Sequence, residues 1–158
     1  MKNYIILILI FHVTILSFSQ ERIRYIPKHH FEDFKVKINR FKTVQRANFK
    51  TNPDAFRFRT KITEALKNAQ NPNFAGHYLV VEWGCGPSCQ CNVIIDMIDG
   101  KVYEGMCTSE SYASQSNSRL FITDPADENG FYDLRSVVRL PPSEYVWNEK
   151  RKKLEKLK

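Results

Sequence analysis

Three of the four cysteines lie within seven residues of one another: Cys85, Cys89 and Cys91. They belong to residues 83–91, a segment rich in Gly and Pro that separates two apolar runs. Gly84 and Gly86 allow backbone conformations that other residues avoid, and Pro87 fixes a bend. The pattern therefore predicts a tight turn between two strands, with its shape restricted by the cysteines. It does not by itself specify a reaction.

The N-terminus indicates export. A short positive start precedes an apolar run of 13 residues, 4–16, and the small-x-small pattern Ser17-Phe18-Ser19. A helix of that length spans about 20 Å, less than the roughly 30 Å of a hydrocarbon core. We expect residues 1–19 to be a signal peptide and the mature chain to be periplasmic or secreted. An uncleaved N-terminal anchor is the alternative.

Export places the four cysteines in an oxidising compartment, where they are expected to form two disulfides. Four cysteines allow three connectivities, and the residue pattern leaves all of them open. The chain is long enough for one domain with a core of its own. Although the formal net charge is +7, an exported chain without a recognisable recognition module is not expected to bind nucleic acid.

The pattern predicts a basic N-terminal arm over residues 20–50 and a single α+β domain over residues 51–158. In the arm, Phe34, Val36 and Ile38 alternate with lysines, which is typical of an edge strand, and we expect the arm to pack loosely. Asn52 is a good N-cap and Pro53 a good first residue for a helix, which residues 71–73 end.

Beyond the helix the pattern changes to strands and polar loops. Residues 92–98 form a nearly continuous apolar run, which is typical of a central strand covered on both faces. Asp99-Gly100 is a hairpin signal. Other strands are predicted over residues 77–83, 101–106, 119–123 and 145–147, with a further one inside 131–140. The predicted fold is one N-terminal helix packed on a mainly antiparallel, disulfide-stapled sheet.

Several segments of the chain share a recognisable motif. They are Asn73-Phe74-Ala75-Gly76-His77-Tyr78, Trp83-Gly84-Cys85-Gly86-x-x-Cys89, Asp96, Gly100-Lys101-Val102 and Ser118-Arg119-Leu120. Together they resemble a family of small exported bacterial proteins with no assigned activity. The resemblance covers roughly residues 53–120 and has a weaker echo at residues 145–147.

The resemblance implies a fold and little chemistry. In the family pattern Cys85 and Cys89 form the shared pair, which leaves Cys91 and Cys107 to pair with each other. The echo at Trp147 implies that the tail, residues 148–158, ends in a hairpin strand; the tail's own sequence leaves helix or strand open.

Strand geometry places a condition on the Cys91–Cys107 pair. A plain two-residue turn at Asp99-Gly100 would set Asn92 opposite Cys107 and point Cys91 to the other face of the sheet. A bulge or a longer turn is needed to bring the two sulfurs together.

Two more specific interpretations of the cysteines, a zinc site and thiol catalysis, have less support than two disulfides. A zinc site made by the four cysteines, with or without His77, lacks the common ligand spacing and is disfavoured by export. Thiol catalysis would need Cys85 as nucleophile and His77 as base. The two residues lie at opposite ends of a strand, some 25 Å apart if it is extended. We expect no cofactor and no metal.

The remaining candidates are a histidine, an ion pair and aromatic side chains. His77 is predicted on the strand face of Trp83, and a buried Asp96 needs a partner, for which Arg119 is the candidate. Tyr78 and Trp83, with Tyr103 and Phe121, are candidates for a binding patch, although most aromatics in such a sheet belong to the core.

Three classes of function follow from these residues. The first is a binding or inhibitor-like module that engages an unidentified protein or envelope ligand near the turn at residues 83–91. The second is a cysteine-dependent enzyme or thiol-redox protein that uses Cys85 and Cys89. The third is an envelope protein whose basic tail contacts anionic surfaces. We favour the first, because no nucleophile, base and oxyanion site are assembled by the sequence.

The cysteine assignment predicts that the folded protein carries no free thiol. Intact mass before and after alkylation of the unreduced, denatured protein should be identical, because both disulfides protect all four cysteines. Any alkylated cysteine would contradict the assignment and would favour the enzyme and zinc interpretations.

Overall fold

The computed structural model describes residues 22–41, 43–133 and 140–158. The predicted signal peptide, residues 1–19, lies outside the described residues, as do the first residues of the predicted arm, Gln20 and Glu21. Residues 134–139, most of the segment in which a strand was predicted inside 131–140, also lie outside.

The predicted helix is present and begins where the sequence indicates. The Asn52 side chain accepts a hydrogen bond of 3.3 Å from the backbone N–H of Ala55, and Pro53 opens the first turn. The helix is 3-10 over Pro53–Phe58 and continues as α1 over Arg59–Asn68. The apolar residues Ile62 and Leu66, one helical turn apart, are buried because they face the sheet.

The described residues form nine strands in three antiparallel sheets. The strands are β1 Arg22–Arg24, β2 Tyr78–Gly86, β3 Cys89–Asp96, β4 Val102–Thr108, β5 Tyr112–Ser114, β6 Leu120–Thr123, β7 Phe131–Asp133, β8 Ser143–Asn148 and β9 Lys153–Lys156. The sheets have the orders β1-β7, β2-β3-β4 and β5-β6-β8-β9. The α+β fold is confirmed, and the strands divide into separate sheets.

Strand β3 lies at the centre of the molecule. Its Val93 and Ile95 face the helix and pack with Ile62 and Leu66. Ile94, on the opposite face, packs with the aromatic cluster that the four-stranded sheet contributes. Both faces of β3 are therefore covered, which is why its sequence is almost continuously apolar.

The tail is a strand. Strand β9 pairs with β8 in the register Trp147 opposite Leu154, as the family resemblance implied. Trp147 is fully buried and packs at right-angled contacts against Phe74 and Tyr78. The tail hairpin thus covers one side of the aromatic cluster that contains Phe74, Tyr78 and Trp147.

The arm packs more closely than expected, and its predicted edge strand is wrong. Instead of a strand over residues 34–38 there is a 3-10 turn, Phe31–Phe34, followed by one isolated bridge between Lys35 and Ser118. The physical reason is a set of specific anchors. The Val36 N–H donates to the Asn117 carbonyl at 2.8 Å, and the Asn39 N–H donates to the Gly76 carbonyl at 2.8 Å, so this stretch bonds to turns and not to a strand. Earlier in the arm, the Glu144 carboxylate of β8 accepts hydrogen bonds from the Tyr25 hydroxyl and, at 2.9 Å, from the Lys28 N–H.

The β3–β4 hairpin contains both a longer turn and a bulge, the two irregularities considered for the Cys91–Cys107 pair. The turn is longer than two residues, because Ile95 is opposite Val102. Continuing the register of Val93 opposite Glu104 would set Met106 opposite Cys91, but a bulge shifts it by one residue and places Cys107 there.

Gly105 makes this bulge fit. A Cβ atom at this position would overlap the side-chain and backbone oxygens of Asn92, so only glycine allows the approach. We expect Gly105→Ala to lower the free energy of unfolding by about 1–3 kcal/mol, the usual range for overpacking. Urea unfolding followed by tryptophan fluorescence measures this change. Gly84→Ala is the matched control, since its nearest neighbour would be the Gln90 side chain at 3.8 Å. An equal effect of both substitutions would contradict the steric role.

The contacts of Glu144 predict that docking of the arm depends on pH. Burial alone would raise the pKa of Glu144, but hydrogen bonds from Tyr25, His29 and the Lys28 N–H outweigh it and hold the pKa below the usual 4.5. The stabilisation is therefore present above about pH 4.5 and is lost as the pH falls through the lowered value. The protection factors of the Arg22–Arg24 amides, which correct for the intrinsic pH dependence of hydrogen exchange, should fall below that pH.

Two variants test the assignment of this pH dependence. Glu144→Gln should lower the protection factors in β1 already at neutral pH and should make them less dependent on pH, whereas Glu128→Gln, at an exposed position in a loop, should do neither. Unchanged exchange in Glu144→Gln would overturn the anchoring role.

Candidate binding site

A cavity of about 660 Å³ lies between the start of the helix and strand β4. One wall consists of Thr51 to Ala55, where the N-cap places the first helical turn beside the sheet, and the opposite wall consists of Glu104 to Cys107. Its floor is apolar, with Trp83, Val93 and Val102 from the sheet and Phe58 from the helix.

Trp83 belongs both to the core and to the floor of the cavity. Its ring stacks on Phe58 with the ring centroids 4.0 Å apart and the planes 19° from parallel. Only 9% of Trp83 is exposed, because β2 presents it on the same face as Leu79 and Val81. The predicted binding residue therefore offers part of one edge to a ligand and is otherwise covered.

The two disulfides lie at one end of the cavity and have the connectivity that the resemblance implied. Cys85 pairs with Cys89 at a Cα separation of 5.1 Å, and Cys91 pairs with Cys107 at 4.0 Å. The bulge between Gly84 and Gly86 leaves Cys85 outside the ladder. It turns Cys85 toward Cys91, and the two Sγ atoms, which belong to different disulfides, are 3.3 Å apart.

The charge at the cavity is opposite to that of the whole chain. Among the described residues that line it, the charged side chains are Asp54 and Glu104. Both are exposed at the rim, whereas the whole chain has a formal net charge of +7.

The outer edge of β4 borders the same cavity. At Val102 this edge is capped, because the Thr51 hydroxyl accepts from its N–H at 2.9 Å and donates to its C=O at 3.2 Å. Backbone groups in an antiparallel strand alternate in direction, so the N–H and C=O of Glu104 also point outward. In the part of the chain that the structure describes, β4 has β3 as its neighbouring strand and the other edge beyond Val102 carries none.

Asn92 holds the wall of the cavity in place. Its Oδ1 accepts a hydrogen bond of 3.0 Å from the Met106 N–H at the bulge. Its Nδ2 is buried without a partner among the described residues, which costs about 1–3 kcal/mol. The Asn92 side chain thus holds β4 through its Oδ1, while its Nδ2 lacks a hydrogen bond.

A second polar cluster lies at the other end of β2. His77 Nε2 is 3.6 Å from the buried Asp96 carboxylate and 3.8 Å from the Glu149 carboxylate. The Tyr78 hydroxyl donates to Glu149 at 2.7 Å, and Lys152 donates to both Tyr78 and Glu149. The cluster ties the tail hairpin to the start of β2.

Electrostatics in this cluster follow from burial and from the lysine. Burial raises the pKa of Tyr78, and the hydrogen bond to Glu149 raises it further. Burial would also raise the pKa of Glu149, but hydrogen bonds from Lys152 and Tyr78 outweigh it and keep that pKa below its usual value. The raised pKa keeps the Tyr78 phenol neutral, and the lowered pKa favours the ionised form of Glu149.

The predicted Asp96–Arg119 ion pair is wrong. Asp96 ends β3 and accepts from the Ile98 N–H at 2.9 Å, and His77 Nε2 lies 3.6 Å from its carboxylate. Arg119 precedes β6 in another sheet and donates to the Trp147 carbonyl at 3.4 Å. The ion pair was predicted from the opposite charges of the two residues, but the strands beside them belong to different sheets.

The structure separates the other predicted partners. Strand β2 continues from Tyr78 to Gly86 without a reversal, so His77 and Cys85 stay at opposite ends. Four aromatic residues were candidates for a binding patch. Of these, Tyr78 and Phe121 are buried in the aromatic core, whereas Tyr103 and Trp83 line the cavity.

The sulfur atoms of Cys85, Cys89 and Cys91 all lie within 4.8 Å of one another. Zinc binds thiolates, however, and each of these sulfurs is already bonded to another sulfur. His77, the fifth residue considered for zinc, is at the far end of β2.

Sequence reasoning missed several residues of these two sites. Asn92 gains its position from the β3–β4 bulge and Glu104 from the length of the β3–β4 turn. Glu149 and Lys152 gain theirs from the turn of the tail hairpin. The one available signal was Gly105, a glycine inside a predicted strand, which often marks a bulge.

Comparison of the chain with protein-family models, with curated proteins and with solved structures finds no match in any of the three. The family resemblance of the motif around Cys85 therefore stays a prediction. Among the described residues, no helix has the length and apolar character needed to cross a membrane.

Proposed function

We propose that this protein is an exported, disulfide-stabilised binding module that takes up an extended, basic polypeptide segment along the outer edge of β4. The observation that carries the proposal is the unpaired edge at Glu104 beside a cavity of about 660 Å³. The disulfides are consistent with an oxidising compartment, which supports export.

A segment of the chain itself already pairs with the beginning of this edge, which supports the proposal. Asn48 forms a parallel bridge with Lys101, and its N–H donates to the Gly100 carbonyl at 2.8 Å. Thr51 then caps Val102, after which Pro53 turns the chain away into the helix. A bound segment would occupy the edge from the point where the chain leaves it, by strand addition.

The cavity supports recognition of side chains. Its volume falls within the roughly 300–1,000 Å³ of ordinary ligand sites. Because a strand points alternate side chains to opposite faces, a segment paired with β4 would direct one side chain in two toward Phe58 and Trp83. Main-chain pairing would then supply affinity and the cavity would supply selectivity.

The charge of the rim supports a basic partner. Asp54 and Glu104 stand on opposite walls, so a lysine or arginine of the bound segment would meet a carboxylate on either side. Exposed pairs of this kind contribute about 0.2–1 kcal/mol each, which selects among ligands more than it drives binding.

The basic tail is a weaker candidate for the interacting surface. Arg151 is paired with Glu155 at 2.8 Å, and Lys152 is paired with Glu149. Part of the tail's positive charge is therefore already compensated within the hairpin, which favours the cavity over the tail.

The proposal predicts selective binding of basic extended peptides. The probes are peptides of about six residues, the length of an average strand, with alternating Lys and Val or alternating Glu and Val. We expect the basic peptide to bind about two- to thirtyfold more tightly, because two exposed pairs contribute about 0.2–1 kcal/mol each. Amide chemical shifts of Glu104 to Cys107 should move on titration.

Variants separate edge binding from general charge attraction. Asp54→Asn combined with Glu104→Gln should abolish the preference for the basic peptide. Glu64→Gln, on the outward face of the same helix, should leave it intact. Equal binding of both peptides to the unaltered protein, or shift changes confined to residues away from β4, would overturn the proposal.

A further inference from the structure

We propose that the two disulfides react with each other. An external dithiol reduces Cys85–Cys89 by two electrons, and the remaining disulfide then changes from Cys91–Cys107 to Cys85–Cys91. This is a thiol–disulfide exchange activity, and it requires no polypeptide ligand in the cavity. Its substrate class is a dithiol able to reach an exposed disulfide.

The contact between the two disulfides carries the inference. Cys85 Sγ lies 3.3 Å from Cys91 Sγ, although each sulfur is bonded to a different partner. A disulfide bond is about 2.05 Å long, so a movement of roughly 1.3 Å would join them. Cys85 can move because the bulge at Gly84 and Gly86 leaves it outside the strand ladder.

Exposure gives the first step an entry point. Cys85 is exposed and Cys89 is half-buried in the turn, so a donor thiolate can reach this bond. The donor attacks Cys89 Sγ, the Cys85–Cys89 bond breaks, and Cys85 leaves as a thiolate. The donor's second thiol then displaces Cys89, so the donor leaves as a disulfide and Cys89 as a thiol.

The second step is internal and changes no net oxidation state. The Cys85 thiolate attacks Cys91 Sγ and forms the Cys85–Cys91 bond. The Cys91–Cys107 bond breaks, and the electron pair leaves with Cys107, which is exposed and can take up a proton from water. The product carries one disulfide, Cys85–Cys91, and free thiols at Cys89 and Cys107.

Cys89 is a poorer attacking group on the same target. Cys89 and Cys91 lie two residues apart on strand β3, which separates their Cα atoms by about 6.6 Å in an extended strand. That distance is at the upper end of the roughly 4.4–6.8 Å seen in disulfides, and the two residues are held there by the ladder. Cys85, across the hairpin, is not restricted in this way.

The first experiment isolates the internal step. In Cys89→Ser, Cys85 is a lone thiol that faces Cys91, whereas in the matched control Cys85→Ser the lone thiol is Cys89. After native alkylation and peptide mapping, we expect label on Cys107 and a Cys85–Cys91 link in Cys89→Ser. In Cys85→Ser we expect label on Cys89 alone, with Cys91–Cys107 retained. Label confined to Cys85 in the folded Cys89→Ser variant would overturn the proposal.

The second experiment uses the unaltered chain and does not depend on the folding of a variant. The protein is treated with one equivalent of dithiothreitol, quenched in acid and mapped by mass spectrometry. The two-electron-reduced form should contain the Cys85–Cys91 link with free Cys89 and Cys107. If that form instead keeps Cys91–Cys107 with free Cys85 and Cys89, or keeps Cys85–Cys89, the exchange does not occur and the proposal is wrong.

Discussion

The structure depends on the placement of Cys91 opposite Cys107. The bulge that produces this register pulls β4 against Asn92 and requires glycine at position 105. It also sets the cavity wall next to Glu104, at Gly105 to Cys107. A strand pair with regular pairing would put Met106 opposite Cys91, and neither the second disulfide nor this shape of the edge would follow.

The two ends of β2 have different roles because different elements meet there. At the C-terminal end, the turn brings two disulfides into contact beside the cavity. At the N-terminal end, Tyr78 and His77 meet Glu149 and Lys152 of the tail hairpin, in a cluster whose charges compensate one another. The proposed binding and exchange activities both belong to the first end, whereas the second end holds the tail to the sheet.

Much of the fold could be predicted because it follows from local rules. The N-cap at Asn52 and the proline after it locate the helix, and the apolar run of β3 indicates a strand covered on both faces. The arm was predicted less well. Alternation at Phe34 to Ile38 is a local signal, but backbone hydrogen bonds to Asn117 and Arg119, far along the chain, decided its conformation.

The sequence by itself determined the helix, the central strand, the position of the cysteine turn and the need for an irregularity between Cys91 and Cys107. Spacing along the chain is sufficient for these features, because they depend on neighbouring residues. Only the tertiary structure decided the division into separate sheets, the partners of Asp96 and Arg119, and the contact of Cys85 with the second disulfide. Those features depend on which strands lie side by side, and pairing between distant segments is set by packing of the whole core.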